Sequence, residues 1–316
     1  MERTIFEPQY PAEFYTKRPT STAILSPLYD YTFKSIFTQE TKESYLALQS
    51  FISAVLERKV RNVQLKSNEP STETKKQKRM TFDVSVEFDD GEVSDIEMQA
   101  WKQRYNYATR AEILVSRLLT NNAKRGKNWI APKVYQISII NFHYEKSDNK
   151  EMTWYTMQDD SGSKLSDRLN VIFIDLEAIR LKLGTPIAQL TPIEKWGLFF
   201  CYVDHDNQAD YIRNLVDSED GIMAADEIIR HMSKADSNWF TQNSIYMAEC
   251  DSNTIKAILK QEILEEGIQK GEQKAKIEAA LNLLRMNVLS PEQIAKAQGL
   301  PLNKVLELQK EVTVNA

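Results

Sequence analysis

The sequence predicts an α/β core followed by a mainly helical C-terminal region. Two segments alternate apolar and polar residues with the period of a half-buried strand, TFDVSVEF (81–88) and VSDIEMQA (93–100), and KVYQISIINF (133–142) is predicted as a third strand. From about Thr191 onward the pattern is helical, and ILEEGIQKGEQKAKIEAALNLLRM (263–286) is rich in helix formers. We therefore expect an irregular N-terminal segment at 1–22, a core at 23–180 and a helical region at 181–316.

Helices are predicted beside these strands. Ser26-Pro27 is typical of an N-cap followed by proline at the first helical position. The helix that follows would place four aromatic or aliphatic residues on one face: Tyr29, Phe33, Ile36 and Phe37. The remaining predicted elements are an amphipathic helix at 43–56, a long helix at about 105–124, and strands at 153–157 and 169–176.

Composition excludes several common function classes. With nine glycines in 316 residues, the chain has neither GxGxxG nor GxxxxGK[ST], and GxSxG is absent as well. Two cysteines make no disulfide framework and no cysteine-based zinc site, which favours a reducing cytoplasm. The longest apolar runs, such as WGLFFCYV (196–203), are too short to span a bilayer, so we expect no membrane association.

The net charge of −5 is unevenly distributed. Residues 1–145 carry 21 Lys and Arg against 18 Asp and Glu, whereas residues 146–316 carry 19 against 27. Within the first part, Leu56–Arg79 holds eight basic and three acidic residues and ends in KKQKR. This segment predicts a local basic surface for a polyanion. The alternative is an ordinary solvated loop.

The strands at 81–88 and 93–100 predict a hairpin of defined register. The connection contains Asp89-Asp90-Gly91, and a three-residue loop commonly ends in a left-handed residue, for which glycine is suited. Phe88 then faces Glu92, and Val84 faces Ile96. A two-residue loop would shift the register by one and mix apolar and acidic residues on both faces. The favoured register gathers four acids on one face: Asp83, Glu87, Asp95 and Glu97.

Acids that face one another across two strands repel, because their Cβ atoms lie only about 4.5–5.5 Å apart. Protonation of one acid would relieve the repulsion in a dry site. A divalent cation would also relieve it, since Mg²⁺ takes carboxylate and water oxygens. The third alternative is a solvent-exposed acidic face without an ion, and the hairpin pattern alone leaves all three open.

Several motifs follow one another in a particular order: LSPLYDYTFKSIF, LALQSFISAVL, FDVSVEFDDGEVSDIEMQ, YATR, KVYQISIINF, NVIFIDLE and EKWGLFF. Among them, Asp83 is followed after 13 residues by Glu97-Met98-Gln99. This order resembles the PD-(D/E)XK nuclease superfamily, in particular its recombination-promoting nuclease and transposase branch. The likeness covers most of residues 23–310. It implies a PD-(D/E)XK restriction-endonuclease-like core, which is a mixed sheet flanked by helices, with a helical C-terminal region.

The resemblance implies a metal-dependent active site. Asp83 and Glu97 match the two metal-binding carboxylates of the family, and Met98 would offer its main-chain carbonyl to the same Mg²⁺ or Mn²⁺ ion. Gln99 stands where the superfamily usually has lysine, although this branch often carries glutamine there. Because neutral Gln99 can only hydrogen-bond the water or phosphate, the ion would have to activate water largely unaided.

Tyr107 and Arg110 match the aromatic-x-x-Arg pattern of the branch and lie on one face of the predicted long helix. Arg110 would hold the scissile phosphate through two hydrogen bonds. The alternative is an arginine that caps the acidic hairpin face, and the two uses are compatible.

Other residues are predicted to take supporting roles. Asp30 is a candidate extra acid, with a simple surface pair to Lys34 as the alternative. Asp95 is a candidate acid behind the metal ligands. The residues predicted to contact the DNA backbone are Lys75, Lys76, Lys78 and Arg79, and the three histidines (His143, His205 and His231) are expected in core or surface positions.

We therefore expect a Mg²⁺-dependent DNA endonuclease that hydrolyses phosphodiester bonds and is associated with recombination or transposition. DNA is the expected partner, and homo-oligomerisation remains open. One alternative is a catalytically weak or inactive nuclease-fold module that binds nucleic acid or protein. Another is a structural or interaction protein whose acidic hairpin face is only solvated and whose C-terminal helices mediate association. The tail SPEQIAKAQGLPLNKVLELQK (290–310) outlines a helix-turn-helix. Since its second helix is not strongly basic, packing or oligomerisation is favoured there over DNA reading.

Overall fold

The computed structural model describes residues 18–66, 83–89, 91–100, 106–124, 128–144 and 150–314. The helices in this part of the chain are α1 (Asp30–Thr38), α2 (Lys42–Leu56), α3 (Tyr107–Asn122), α4 (Leu176–Arg180), α5 (Pro192–Tyr202), α6 (Ala209–Val216), α7 (Asp220–Met232), α8 (Asp236–Met286), α9 (Pro291–Gln298) and α10 (Leu302–Val314). The strands are β1 (Val63–Leu65), β2 (Val84–Phe88), β3 (Glu92–Gln99), β4 (Val134–Ile140), β5 (Met152–Thr156) and β6 (Leu169–Asp175).

These strands form one mixed sheet in the order β1-β2-β3-β4-β6-β5. β3, β4 and β6 run parallel, whereas the pairs β1–β2, β2–β3 and β5–β6 are antiparallel. The connection from β3 to β4 contains α3, as expected for parallel neighbours, which need a long crossover. The mixed sheet, its flanking helices and the helical C-terminal region confirm the predicted α/β fold class.

Both faces of the central strands are buried. On one face, Val84, Ile96 and Ile137 enter the main core together with side chains from α1, α2 and α4 to α7. On the other face, Leu114 and Leu118 of α3 pack against strand residues. Alternate residues of β3 therefore lie beneath α3, and this is the face that carries the acids.

The start of α1 differs from the prediction. The backbone N–H of Tyr29 donates to the carbonyl of Ser26 at 3.4 Å, and the helix begins only at Asp30. Pro27 thus occupies the second position of a turn, which its fixed φ also favours. The predicted N-cap is wrong, but the predicted apolar face of the helix is confirmed, because its four residues are buried: Tyr29, Phe33, Ile36 and Phe37.

α2 and α7 pack closely because of one glycine. A Cβ atom on Gly221 would lie 2.1 Å from the Cβ of Ser50. Contacts that short do not occur between real side chains, so any larger residue would force the two helices apart.

The described residues fall into two compact units, and the boundary between them along the chain lies within α8, between Ser244 and Ile245. The main core belongs to the first unit, and its buried residues run from Ala23 to Trp239. The predicted division between a core at 23–180 and a helical region at 181–316 stays a prediction. No described helix combines the length and apolar character needed to span a bilayer.

The second unit has a small core of its own at the C-terminal end of α8. Ile294 and Val305, from α9 and α10, pack there with Ala280. The side chain of Ser290 caps α9, and Gly299 ends it with a φ of 61°. The helix-turn-helix outline predicted for 290–310 is confirmed, and its role stays a prediction.

Candidate active site

The hairpin has the register predicted from its loop. Phe88 pairs with Glu92, Val84 with Ile96 and Ser85 with Asp95, and Gly91 has a φ of 85°. One further step along the same register brings Asp83 opposite Glu97. Asp95 and Glu97 are both 0% exposed, because α3 covers this face. The alternative of a solvent-exposed acidic face is therefore wrong for these two residues.

Two side chains of α3 hold the carboxylate of Glu97. Arg110 donates from Nη2 to Oε1 at 2.8 Å and from Nε to Oε2 at 3.3 Å. The hydroxyl of Tyr107 donates to Oε2 at 3.3 Å. Burial raises the pKa of Glu97 and the charge of Asp83 adds to this, while Arg110 acts in the opposite direction; the pKa remains raised. The predicted capping role of Arg110 is thus observed, and its phosphate contact stays a prediction.

Asp83, the residue immediately before β2, is contacted by a lysine of α1. Lys34 Nζ lies 3.1 Å from Asp83 Oδ1 and 2.8 Å from Asp30 Oδ2. The predicted pair of Asp30 and Lys34 is therefore present, and it extends to the hairpin. Burial raises the pKa of Asp83, and Lys34 offsets only part of that effect.

Behind Glu97 lies a layer of buried polar side chains from β3 and β4. Asp95 pairs with Gln136 in the strand register, and Glu97 pairs with Ser138. Within the described part of the chain, no well-formed hydrogen bond reaches the carboxylate oxygens of Asp95, the amide atoms of Gln136 or the hydroxyl of Ser138. Gln136 and the backbone of Asp83 still act on Asp95, and Ser138 acts on Tyr107, in poorer geometry. Each such group costs about 1–3 kcal/mol. Unpaired buried groups of this kind are typical of a site that binds water or an ion.

The charge of Asp95 is the least favourable in this layer. Burial raises its pKa well above the ordinary value, and the neighbouring charges of Glu97 and Asp83 raise it further. The amide of Gln136 and the backbone of Asp83 act in the opposite direction, yet the pKa of Asp95 remains raised. A cation would relieve the repulsion among these acids.

The two residues after Glu97 point in opposite directions. The side chain of Met98 enters the main core, whereas Gln99 lies on the side of the acids. The carbonyl of Gln99 accepts the N–H of Asn141 at 2.9 Å, on the β4 side. The carbonyl of Met98, one residue earlier, therefore points toward β2, where Asp83 lies.

Other predicted residues lie apart from this cluster or outside the described residues. Glu87, at the far end of the hairpin, pairs with Lys66 at 2.6 Å and is 40% exposed. His143 contacts Asp175 at 3.0 Å, beyond the end of β6. The four basic residues predicted to contact DNA lie outside the described residues: Lys75, Lys76, Lys78 and Arg79.

Three members of the cluster were not predicted from the sequence. Gln136 and Ser138 alternate with apolar residues in KVYQISIINF, and their spacing of two places them on one face of a fully buried strand. That polar alternation was the available signal. The contact of Lys34 with Asp83 depends on the packing of α1 against the sheet, for which the sequence gives no local signal.

Comparison with known families decides the relationship. The model of the PD-(D/E)XK nuclease family transposase matches residues 27–257, a range that contains α1, the hairpin and α3. The chain belongs to this family. No curated protein and no solved structure was found to match it. For a PD-(D/E)XK nuclease family transposase, a nuclease or transposase-like function is supported, with DNA as the implied substrate.

PD-(D/E)XK nucleases generally use divalent metal ions. In the described part of this family member, no group of three or more His, Cys, Asp or Glu side chains is arranged to hold a metal. The donor chemistry fits a hard cation, because Asp83, Asp95 and Glu97 offer carboxylate oxygens on one sheet face. Lys34 and Arg110 supply positive charge to two of these acids in this arrangement.

Proposed function

We propose that this PD-(D/E)XK nuclease family transposase is a Mg²⁺- or Mn²⁺-dependent DNA endonuclease that acts in recombination or transposition. The observation that carries the proposal is the cluster of two buried carboxylates, Asp95 and Glu97, with the partly buried Asp83 on the same face of the hairpin. Concentrated negative charge without enough internal partners is unfavourable in a folded protein unless a ligand compensates it.

Each residue would contribute a separate part of the chemistry. Asp83, Glu97 and the carbonyl of Met98 would hold the cation, which when bound activates water and polarises a phosphate. Tyr107 and Arg110 fix the orientation of Glu97. The side chain of Arg110 is 36% exposed, so its outer part is accessible to a phosphate. Gln99 would orient water or phosphate by hydrogen bonding.

DNA is the substrate class that the surrounding sequence favours. The basic residues from Lys75 to Arg79 immediately precede β2 in the chain and would contact the DNA backbone without reading its sequence. Binding of this kind weakens steeply with salt, because it depends on counterion release. The two cysteines, of which Cys201 is buried and free, favour a reducing cytoplasm.

One observation favours a rival function, a nuclease-fold module that binds DNA without cutting it. Arg110 pairs with Glu97 and Lys34 with Asp83, so these two acids have charge partners within the protein itself. The two functions differ in whether the activity requires the carboxylates of Asp83 and Glu97. A binding module needs neither acid for DNA contact, whereas an endonuclease needs both for cleavage.

Nicking of supercoiled plasmid in Mg²⁺ tests the proposal. We expect nicking that EDTA abolishes and that falls by about a hundredfold or more in Asp83→Asn and in Glu97→Gln. Glu87→Gln is the matched control, since Glu87 lies on the same hairpin face but pairs with Lys66 at its far end. The control variant should nick like the wild type.

The same preparations separate the rival functions. DNA binding with no metal-dependent nicking by any form would favour the binding module. Nicking that persists in both Asp83→Asn and Glu97→Gln would place the chemistry elsewhere in the chain and overturn the proposed site.

A further inference from the structure

The hairpin lacks a positive charge at the position where it would be useful. Gln99 follows the acidic pair on the same face of β3, and its amide is neutral. Phosphodiester hydrolysis adds water to phosphorus and breaks a P–O bond, so negative charge builds on the phosphate oxygens. A fixed positive group beside those oxygens is normally among the largest contributions to catalysis.

A lysine from another element reaches this region. Lys34 Nζ lies 3.1 Å from Asp83 Oδ1, although Lys34 belongs to α1 and is 49 residues earlier in the chain (83 − 34). The side chain is 32% exposed, which leaves part of it accessible from solvent. If Lys34 only formed an ordinary surface pair with Asp30, the contact within α1 would be sufficient and the lysine would not need to approach the hairpin.

The position of Lys34 is fixed by the core. Its neighbours in α1, Phe33, Ile36 and Phe37, are at most 1% exposed and anchor the helix in the main core. Asp30, one turn earlier, holds the ammonium from the other side at 2.8 Å. Lys34 is therefore held between two acids and need not be recruited from a flexible surface position, which is the pre-organisation that electrostatic catalysis requires.

We propose that Lys34 supplies from α1 the ammonium that the hairpin lacks at Gln99, and that it stabilises the charge on the scissile phosphate. This inference rests on the proposed nuclease function and deepens it. Asp30 acts as a positioning residue, because it holds Lys34 and does not itself contact substrate. Lys34 acts as a permanently charged hydrogen-bond donor and transfers no proton.

The test is a set of four full-length variants assayed by plasmid nicking and by Mn²⁺ titration calorimetry. They are Lys34→Met, Lys34→Met combined with Gln99→Lys, Lys34→Arg and Lys182→Met. Lys182 is a matched control, because it also bridges two acids, Glu151 at 2.8 Å and Glu194 at 3.2 Å, and is 37% exposed. Thermal unfolding of each variant checks that the fold is retained.

We expect Lys34→Met to nick about a hundredfold more slowly while its Mn²⁺ affinity is equal to or higher than that of the wild type. Adding Gln99→Lys to Lys34→Met should raise the nicking rate at least about tenfold above that of Lys34→Met alone. Lys34→Arg should retain much of the wild-type rate. Lys182→Met should nick like the wild type. A purely structural role for Lys34 predicts no rescue by a lysine at position 99 of β3.

Three results would overturn the inference, and they are distinguishable. Undiminished nicking by Lys34→Met, with tighter Mn²⁺ binding, would show that Lys34 only neutralises Asp83 in the metal-free protein. A loss that Gln99→Lys does not relieve would refute the equivalence of the two positions. Wild-type protein that never nicks in Mg²⁺ or Mn²⁺ would overturn the proposed function, and this inference with it.

Discussion

At the scale of single residues, Glu97 connects the whole site. It accepts hydrogen bonds from Arg110 and Tyr107, faces Ser138 on β4, and repels Asp95 two residues away on the same strand face. A fully buried carboxylate is tolerated only when its charge is paired. The stability of the metal-free protein should therefore depend on the few groups that supply or remove charge here.

Removal of Arg110 is the first test of this dependence. Arg110→Ala leaves Glu97 buried without its bidentate partner, so we expect a loss of about 1–3 kcal/mol in EDTA, allowing for the partial exposure of the guanidinium. A saturating divalent cation should restore part of the loss. Arg213→Ala, which breaks an exposed pair with Asp210, is the control and should change stability little. Equal effects of the two variants in chemical denaturation would contradict this account.

Asp95 should make the stability of the metal-free protein depend on pH. Its pKa is raised in the folded state, so the folded protein holds this proton more tightly than the unfolded chain, where the pKa is about 3.9. Stability is therefore lost as pH rises from about 4 through the raised pKa. An asparagine side chain cannot ionise, so Asp95→Asn removes this loss. Between about pH 4 and neutral pH, the variant should therefore lose less stability than the wild type.

The measurement for Asp95 is thermal unfolding in EDTA between about pH 5 and pH 8, with Asp210→Asn as an exposed control. The difference between Asp95→Asn and the wild type should grow with pH. A difference in stability that stays constant across this pH range would mean that ionisation of Asp95 does not destabilise the folded protein.

At the scale of elements, close packing between helices fixes the positions of the helices around the site. α1 and α2 are buried against α5 and α7 through one continuous apolar cluster. Because Lys34 projects from α1, any displacement of that helix would move the ammonium relative to Asp83. The geometry of the site therefore depends on helix packing some distance from it.

Gly221 provides a test of that packing. Gly221→Ala places a Cβ atom 2.1 Å from Ser50 Cβ, so we expect destabilisation by about 1–3 kcal/mol. Gly267→Ala is the control, because nothing lies within 4 Å of its added Cβ in α8. There the substitution should be neutral or stabilising by up to about 1 kcal/mol. Urea unfolding compares the two, and a stable Gly221→Ala protein would contradict the assigned packing.

The local sequence pattern was sufficient to predict most helices and strands and the register of the hairpin. The predicted helix at 43–56 and the strands at 133–142, 153–157 and 169–176 each occur within three residues of the expected bounds. The register followed from Gly91 together with the alternation of Val84 and Ile96, since any other loop would mix the two faces. Pro27 misled the prediction of α1 because proline suits both the second position of a turn and the first turn of a helix.

The surroundings of the acids could not be predicted in the same way. Strand alternation identifies the face that Asp95 and Glu97 share, but their burial depends on α3, which closes over that face only in the folded chain. The approach of Lys34 to Asp83 depends likewise on contacts distant in sequence. Side-chain periodicity contains no information about such contacts.

At the scale of the whole molecule, the two compact units are connected through a helix without lateral support over part of its length. Every residue of α8 from 258 to 276 is exposed, including Ile263 at 71% and Leu264 at 60%. Helices gain most of their stability from packing rather than from propensity. This stretch should therefore open locally more easily than either core.

Limited proteolysis tests that expectation. Trypsin under native conditions should cleave first at lysines of this stretch, such as Lys260, Lys270 and Lys274, before it cuts α2 or α7. Mass spectrometry of early fragments identifies the sites. Protection of these lysines would mean that another surface covers the helix in solution, which light scattering would reveal if that surface belongs to a second copy.

Anomalous scattering from crystals grown with Mn²⁺ tests whether the acidic hairpin is a metal centre. We predict a single strong anomalous peak bound by carboxylate oxygens of Asp83 and Glu97, with the Met98 carbonyl on the same ion and Lys34 and Arg110 beside it. Crystals of Glu97→Gln should lose this peak. A peak elsewhere in the chain, or density that leaves these carboxylates paired only with Lys34 and Arg110, would show that the hairpin is not a metal centre.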